Sequence, residues 1–397
     1  MSLTTWPGQS NDWATKLERT GRLPAVWLEI KPLAGGIKTI RIDNFISYNF
    51  SSSIVVPVDA FSFSFVYPGD NNPFNTYVED GDICTLYADD IVVCTGIVDK
   101  IEIEVDGTDA EKVTISGRDM LSQLEDNNAI GINKAPIYGG SYTVEQSANA
   151  LIAGTRIKSV KTEGAPTTAT LFATAIGESR LSALIRHCEP VNALFWSDPT
   201  GNLVVGLPAF NAYPSGVIQV NRDKRKSNAL SIRATQSSTS IPNYMLVLWS
   251  DVQASGVGLP AAQIFPNAAQ GPTRLRKAKH FVIKAVQVSM PSGADAQSLQ
   301  ATARFAAGNV LEGYAKRELA KANFNELLVS ATVPGHFNEN GELYLPNTVY
   351  NVDFDRANIN EKMYLYGVEW NLTMERGAFS VLSFCRLNTI VSDAAVI

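Results

Sequence analysis

Residues 83–124 read ICTLYADDIVVCTGIVDKIEIEVDGTDAEKVTISGRDMLSQL, and this stretch decides the fold. Ile83–Tyr87 and Ile91–Ile103 are rich in β-branched residues, the second run breaking only at Gly96, so both read as strands. Asp106-Gly107-Thr108-Asp109 supplies a turn, and Val113–Ser116 returns as a short strand. Ser116 and Asp119 then stand in the S-x-x-D spacing that caps a helix, ahead of Met120, Leu121 and Leu124 on one helical face. Nothing in this unit is chemically reactive. Its ordering, three strands and then a short helix, is the informative feature.

The β pattern extends upstream. Ala25–Ile30 and Lys38–Ile42 read as strands around an Ala34-Gly35-Gly36 turn, and Phe61-Ser62-Phe63-Ser64-Phe65 alternates strictly, placing three phenylalanines on one buried face. Downstream the pattern mixes. Thr143-x-x-Gln146 is a capping box for a helix carrying Val144, Ala148, Leu151 and Ile152, and Leu181, Leu184, Ile185 and Cys188 form a second apolar stripe that Pro190 ends. Ala193–Trp196 and Leu203–Leu207 flank Ser197-Asp198-Pro199-Thr200-Gly201-Asn202 as a hairpin.

Strands return at Leu230–Ala234, Tyr244–Trp249 and His280–Val288, with Val252–Thr273, rich in Ala, Gly and Pro, read as a flexible segment. A long helix is expected at about 294–321, and then strands at Leu327–Val333, Leu343–Leu345, Thr348–Asp353, Met363–Thr373 and Ala378–Leu387. The expected fold class is α+β, mostly β. It divides into an N-terminal arm (1–22), a first small β barrel (23–128), an α+β insert (129–225) and a second small β barrel carrying the long helix (226–397).

Bulk composition narrows the function. The 397 residues are 45% hydrophobic and 18% charged, which suits a multi-domain globular chain, and no apolar run is long enough to span a membrane. The N-terminus lacks the basic and apolar regions of a secretory signal, so the expectation is assembly in a cytoplasm without membrane embedding. A net charge of −6 argues against a nucleic-acid-binding surface. Two basic clusters, Arg222/Lys224/Arg225/Lys226 and Arg274/Arg276/Lys277/Lys279, read as solvated loops or as anchors for an acidic neighbouring subunit.

The search for chemistry returns little. Cys84, Cys94, Cys188 and Cys385 have no metal spacing and read as buried free thiols. His187 and Cys188 are adjacent, but neighbours on a helix point about 100° apart, so they do not make a dyad; a charged His187 favoured by the helix C-terminus is the plainer expectation. G-x-S-x-G, H-E-x-x-H, P-loop and G-x-G-x-x-G motifs are absent, and the Asp/Glu pairs fall in turns. No catalytic, cofactor-binding or metal-binding residue is therefore assigned. Trp6 and Trp13 in the polar arm, and Tyr67, Phe74 and Tyr77 around one loop, are the candidate interface aromatics.

With these residues in view, the chain resembles the central hub protein of contractile phage tail baseplates, the Mu-type hub and its prophage relatives. Four stretches carry the likeness in order. They are Val113–Asp119 with its short helix and Leu124-Glu125-Asp126; Leu181–Cys188 running into Ala193–Leu203; the helix around Ala301–Tyr314; and Leu345–Val352 ahead of Met363–Trp370. The resemblance implies a homotrimer in which two similar barrels per subunit make a pseudo-sixfold ring. That ring would join a sixfold tail tube to a trimeric spike protein beside other baseplate proteins, and leave a channel for a tape-measure protein and for DNA in transit, in the virion. Different classes of reading are a host-surface glycan-binding protein, which would use Tyr67, Phe74 and Tyr77, and a wall-degrading tail enzyme.

Overall fold

The computed structural model describes residues 25–33, 39–68, 78–105, 110–129, 140–221 (168, 176 and 192 apart), 227–236, 244–251, 261–266, 281–288, 319–320, 323–387 and 389. The first β unit contains β1 (Val26–Lys31), β2 (Ile40–Ile42), β3 (Phe45–Ser53), β4 (Ala60–Pro68), β5 (Ile83–Ala88), β6 (Ile91–Val105) and β7 (Ala110–Asp119). The mixed region holds α1 (Ser122–Asp126), β8 (Gly140–Tyr142), α2 (Val144–Ile152), β9 (Val160–Glu163), β10 (Thr170–Phe172), α3 (Arg180–Cys188), β11 (Leu194–Ser197) and β12 (Leu203–Gly206). Then come β13 (Val217–Val220), β14 (Ser231–Gln236), β15 (Tyr244–Asp251), β16 (Ala261–Pro266), β17 (Phe281–Val288), β18 (Leu327–Pro334), β19 (Thr348–Phe354), β20 (Ile359–Thr373) and β21 (Gly377–Arg386).

Both β regions join one 13-stranded sheet, ordered β14-β18-β21-β20-β3-β4-β7-β6-β5-β1-β2, with β19 also on β20 and β13 on β19. This corrects the picture of two separate closed barrels: among the described residues no pairing closes either half on itself. The reason is that β20 is long enough to serve two neighbours on one side. Its first part pairs with β19 (Ile359–Leu365), and its second pairs with β3 through Gly367↔Ser53, Glu369↔Ser51 and Asn371↔Asn49. The wall of one unit therefore continues into the next.

The two halves repeat one plan. β5-β6-β7 is an antiparallel meander whose last two strands are 15 and 10 residues long, and β19-β20-β21 is another with the same two lengths. β4 lies beside β7 as β18 lies beside β21, and β3 lies beside β4 as β14 lies beside β18. Each long strand also carries a one-residue bulge at the same place against its partner, between Val98 and Lys100 in β6 and between Leu365 and Gly367 in β20.

The core follows the alternation. Phe61, Phe63 and Phe65 are buried as expected, together with Tyr48, Phe50, Val368, Trp370, Leu382 and Phe384, so one apolar cluster runs through both units. A second cluster holds the mixed region together: Met120, Leu121 and Leu124 meet Val144, Ala148 and Leu151 of α2, Leu181, Leu184 and Cys188 of α3, and the β11–β12 hairpin. The Thr143–Gln146 capping box forms in both directions.

Other expectations are corrected. Ser116–Asp119 does not cap a helix, because it stays in the ladder between β4 and β6, and α1 starts only at Ser122. Asp119 still serves the entry to α1 by accepting the Leu121 N–H at 3.0 Å. Strand β16 lies inside the segment read as flexible, paired to β15. Leu343–Leu345 is not a strand; only an isolated bridge joins Phe337 to Leu343. The Ala34–Gly36 and Asp106–Asp109 turns, both basic clusters, and the helix at 294–321 apart from 319–320 lie outside the described residues.

Candidate assembly surfaces

The Ser197–Asn202 turn between β11 and β12 meets β6 and the residue that follows β7. The Asp198 carboxylate accepts N–H bonds from Thr200 (2.9 Å) and Asn202 (2.8 Å) and pairs with Lys161, a closed turn in which the carboxyl is held at about 2 against the cost of burial. Gly201 takes φ +81° there, and a Cβ on it would stand 2.8 Å from Met120 Cγ. Thr95 Oγ1 on β6 donates to the Pro199 carbonyl at 2.8 Å. This turn is the latch between the mixed region and the first β unit.

Beneath the latch lies a carboxyl pair, Asp59 and Asp119, linked by Asp119 N–H donation to the Asp59 carbonyl at 3.0 Å. Burial pushes Asp59 up to about 7, and burial with the charge of Asp59 pushes Asp119 well above the carboxylate range. Asp119 Oδ2 is buried with no hydrogen-bond partner. On the outer side Arg118 binds Asp99 (2.7 Å), Glu125 (2.9 Å) and Asp126 (2.8 Å), which explains the spacing of the arginine and the acidic pair after α1. Arg180 is buried and donates to the carbonyls of Leu151 (2.7 Å) and Ala153 (2.8 Å), closing the C-terminus of α2.

Reactive residue types are used as packing. His187 Nδ1 lies 2.6 Å from Ser147 Oγ and Nε2 lies 2.9 Å from Thr170 Oγ1; burial lowers its pKa, which corrects the expectation of a charged histidine. All four cysteines are buried and free, and the register sets Cys84 opposite Gly96 and Cys94 opposite Leu86. Burial pushes the Cys188 thiol up, away from a nucleophile's range. His336 stacks on Trp370 (4.6 Å between rings), bonds Tyr48 Oη at 2.6 Å and Ser380 Oγ at 2.8 Å, and is pushed down to about 3 by burial. No group of three or more His, Cys, Asp or Glu able to hold a metal occurs among the described residues. His280 lies outside them.

The face of the long sheet opposite the apolar cluster is lined by polar side chains. It carries two short rows set four residues apart along the strands, Ser330 beside Ser383 and then Asn371, Asn49, Ser62 and Ser116 side by side, with the exposed Glu369 opposite Ser51 between them; Ser64 Oγ and Thr114 Oγ1 lie 2.9 Å apart, and Asn49 Nδ2 donates to Asn371 Oδ1 at 2.9 Å. Charges gather toward β6, in the pairs Lys100–Glu102 and Lys112–Glu104. The result is a strip of short hydroxyl and amide groups, interrupted by Glu369 and bordered by charge. Sequence reading missed this strip, because it becomes visible only once β3 and β20 are known to be neighbours. Of the interface candidates, Trp6, Trp13, Phe74 and Tyr77 lie outside the described residues, and Tyr67 is described only as backbone at the end of β4.

This fold is shared with solved phage and prophage tail proteins, and part of the first β unit matches a family model. Residues 36–119 match the family model for the N-terminal part of Mu phage baseplate assembly protein GpP-like proteins. A tail protein from Neisseria meningitidis MC58 shares the fold with a TM-score of 0.70 at 20% identity, over 92% of this chain and 98% of that one. The 43 kDa tail protein of prophage MuSo2 from Shewanella oneidensis gives 0.67 at 19% identity, over 92% and 99%. An E. coli type VI secretion component, described as similar to the T4 tail proteins gp27 and gp5, gives 0.54 at 9%, over 90% and 76%. No curated protein matches the chain. The resemblance to a phage baseplate protein drawn from the sequence thus has a family match over residues 36–119 and a shared fold over most of the chain beside it.

Proposed function

We propose that this chain is a structural baseplate hub. Three copies form a ring whose six β units present pseudo-sixfold symmetry to a tail tube on one face and threefold symmetry to a central spike on the other. The observation that carries this reading is the internal doubling: β5-β6-β7 and β19-β20-β21 repeat strand lengths, neighbours and bulge position, and a threefold ring of a doubled unit is the simplest adaptor between six and three. The two units act in this ring as the two barrels foreseen from the sequence, their walls merged at β3 and β20.

On this reading the hydroxyl and amide strip faces the channel. Its short neutral side chains exchange hydrogen bonds with water, and the exposed Glu369 among them adds a negative charge that repels a phosphate backbone, which suits transit of DNA or a tape-measure protein. The division into an arm (1–22), first β domain (23–128), insert (129–225) and second β domain (226–397) follows the same scheme, with the arm and the loop containing Phe74 and Tyr77 reaching neighbouring proteins. The hub works by interface burial and symmetry, not by catalysis.

Light scattering after gel filtration over a concentration series tests this. The expected result is a trimer, alone or on addition of the spike partner. A monomer at every concentration and with the spike overturns the reading.

A further inference from the structure

The seam inside the chain predicts the seam between chains. We infer that the free side of β6 in one copy pairs antiparallel with the free side of β14 in the next, in a register fixed by the internal repeat and with Glu104 facing Arg233. The inference rests on the proposed ring and names the surface that builds it.

The register follows from the pairings alone. The shared bulge sets Lys100 equivalent to Gly367, so Glu104 is equivalent to Asn371, and Ser116 is equivalent to Ser383. Ser116 faces Ser62 and Ser383 faces Ser330; Ser62 faces Asn49 and Ser330 faces Arg233, so Arg233 is equivalent to Asn49. Within the chain Asn49 faces Asn371 and the two are hydrogen-bonded. The same step between chains puts Arg233 opposite Glu104, Ala234 opposite Ile103, and Ile232 opposite Val105. An acid meets a base, and apolar residues meet apolar residues. No part of the derivation used charge or hydropathy, so this agreement is an independent check.

Burial gives a second, separate indication. At the internal seam Val368, Trp370, Tyr48 and Phe50 are 2%, 0%, 6% and 2% exposed. Their counterparts at the margins (Ile101, Ile103, Ile232 and Ala234) are only partly buried against the same core, and Val105 is 63% exposed. Beyond the stretch that pairs with β5, β6 has no neighbour on that side among the described residues, and neither has β14 on the side away from β18. A long edge strand with apolar residues is a template for another strand.

The test uses the full-length chain. Glu104→Cys and Arg233→Cys single variants are mixed and oxidised, with the double variant Asn49→Cys/Asn371→Cys as the control for the same register within one chain. Both single sites are exposed, and the four native thiols are buried. The expected result is a disulfide-linked dimer in the mixture and none from either variant alone, while the control links internally. In parallel, Glu104→Arg or Arg233→Glu alone weakens association about 10-fold or more, and the two together restore it. A stable trimer that neither cross-links nor responds to charge reversal overturns this pairing and leaves the ring standing. A protein that never associates overturns the ring and the pairing together.

Discussion

The seam between β3 and β20 and the margins at β6 and β14 are built from equivalent strands, yet they differ in what covers them. At the seam Phe50 meets Trp370 edge-on at 5.6 Å, Tyr48 reaches across to His336, and Trp370 donates to the Tyr344 carbonyl at 3.3 Å. At the margins the same positions carry Ile103, Ala234, Ile232 and Val105, smaller side chains left partly open. Aromatic side chains with a polar handle hold a contact that forms once, during folding. Aliphatic residues with a charge beside them suit a contact that must first survive exposed to water.

The largest effect should come from removing the seam's anchor. Trp370→Ala should cost about 3–5 kcal/mol of chain stability, read as a lowered urea midpoint, whereas Val105→Ala should stay within about 0.5 kcal/mol because its side chain is already solvated. Equal losses would mean that the seam and the margins do not differ as described. Next, Tyr48→Phe should cost about 1–3 kcal/mol, because it leaves His336 Nε2 buried without its partner. A neutral result would locate the strength of the seam in ring packing alone.

Gly201→Ala tests the latch and should destabilise by about 1 kcal/mol or more, through the positive φ and the clash with Met120. It should leave the seam variants' effects additive, since the latch shares no partner with Trp370.

Acid separates the two regions by sign. His336 is held neutral down to about 3, so the unfolded chain binds the extra proton between about pH 6.5 and 3 and the seam weakens as pH falls through that window. Asp59 is held protonated up to about 7, so the folded chain binds the extra proton between about pH 4 and 7 and the latch weakens as pH rises. Urea titrations across pH should therefore show His336→Gln losing the acid-side decline, Asp59→Asn reducing the other, and Asp59→Asn/Asp119→Asn removing it. A pair of variants with profiles parallel to the wild type would remove both groups from the account.

Much of this was legible in the sequence where one pattern was sufficient. The strict alternation of Phe61–Phe65 has one burial solution, and the Thr143–Gln146 box forms from local residues alone. The burial of Met120, Leu121 and Leu124 was also readable, but the start of the helix was not, since only Leu124 of the three lies inside α1. S-x-x-D describes a helix start only if the backbone leaves the sheet there, and two neighbouring strands keep Ser116–Asp119 in it. The merger of the two units was hidden for a related reason. Nothing local in Ser51 or Glu369 says that they will face each other, and a barrel wall and an open sheet share the same alternation. The candidate surface divided likewise. Aromatics such as Trp6 and Tyr77 stand out by type, whereas Ser62, Asn49 and Asn371 become a surface only when the ladder aligns them.

Because the two strands proposed to meet between copies, β6 and β14, are unlike, the proposed assembly has a direction. A body with complementary, non-identical ends adds copies head to tail, and nothing in the pairing itself counts them. Only the turn made at each step decides whether the series meets its own beginning or runs on as a filament. Under the proposed pairing, a small change in the twist of β6, for instance at its bulge beside Asp99, would act on how many subunits a particle contains more than on how tightly any two of them hold.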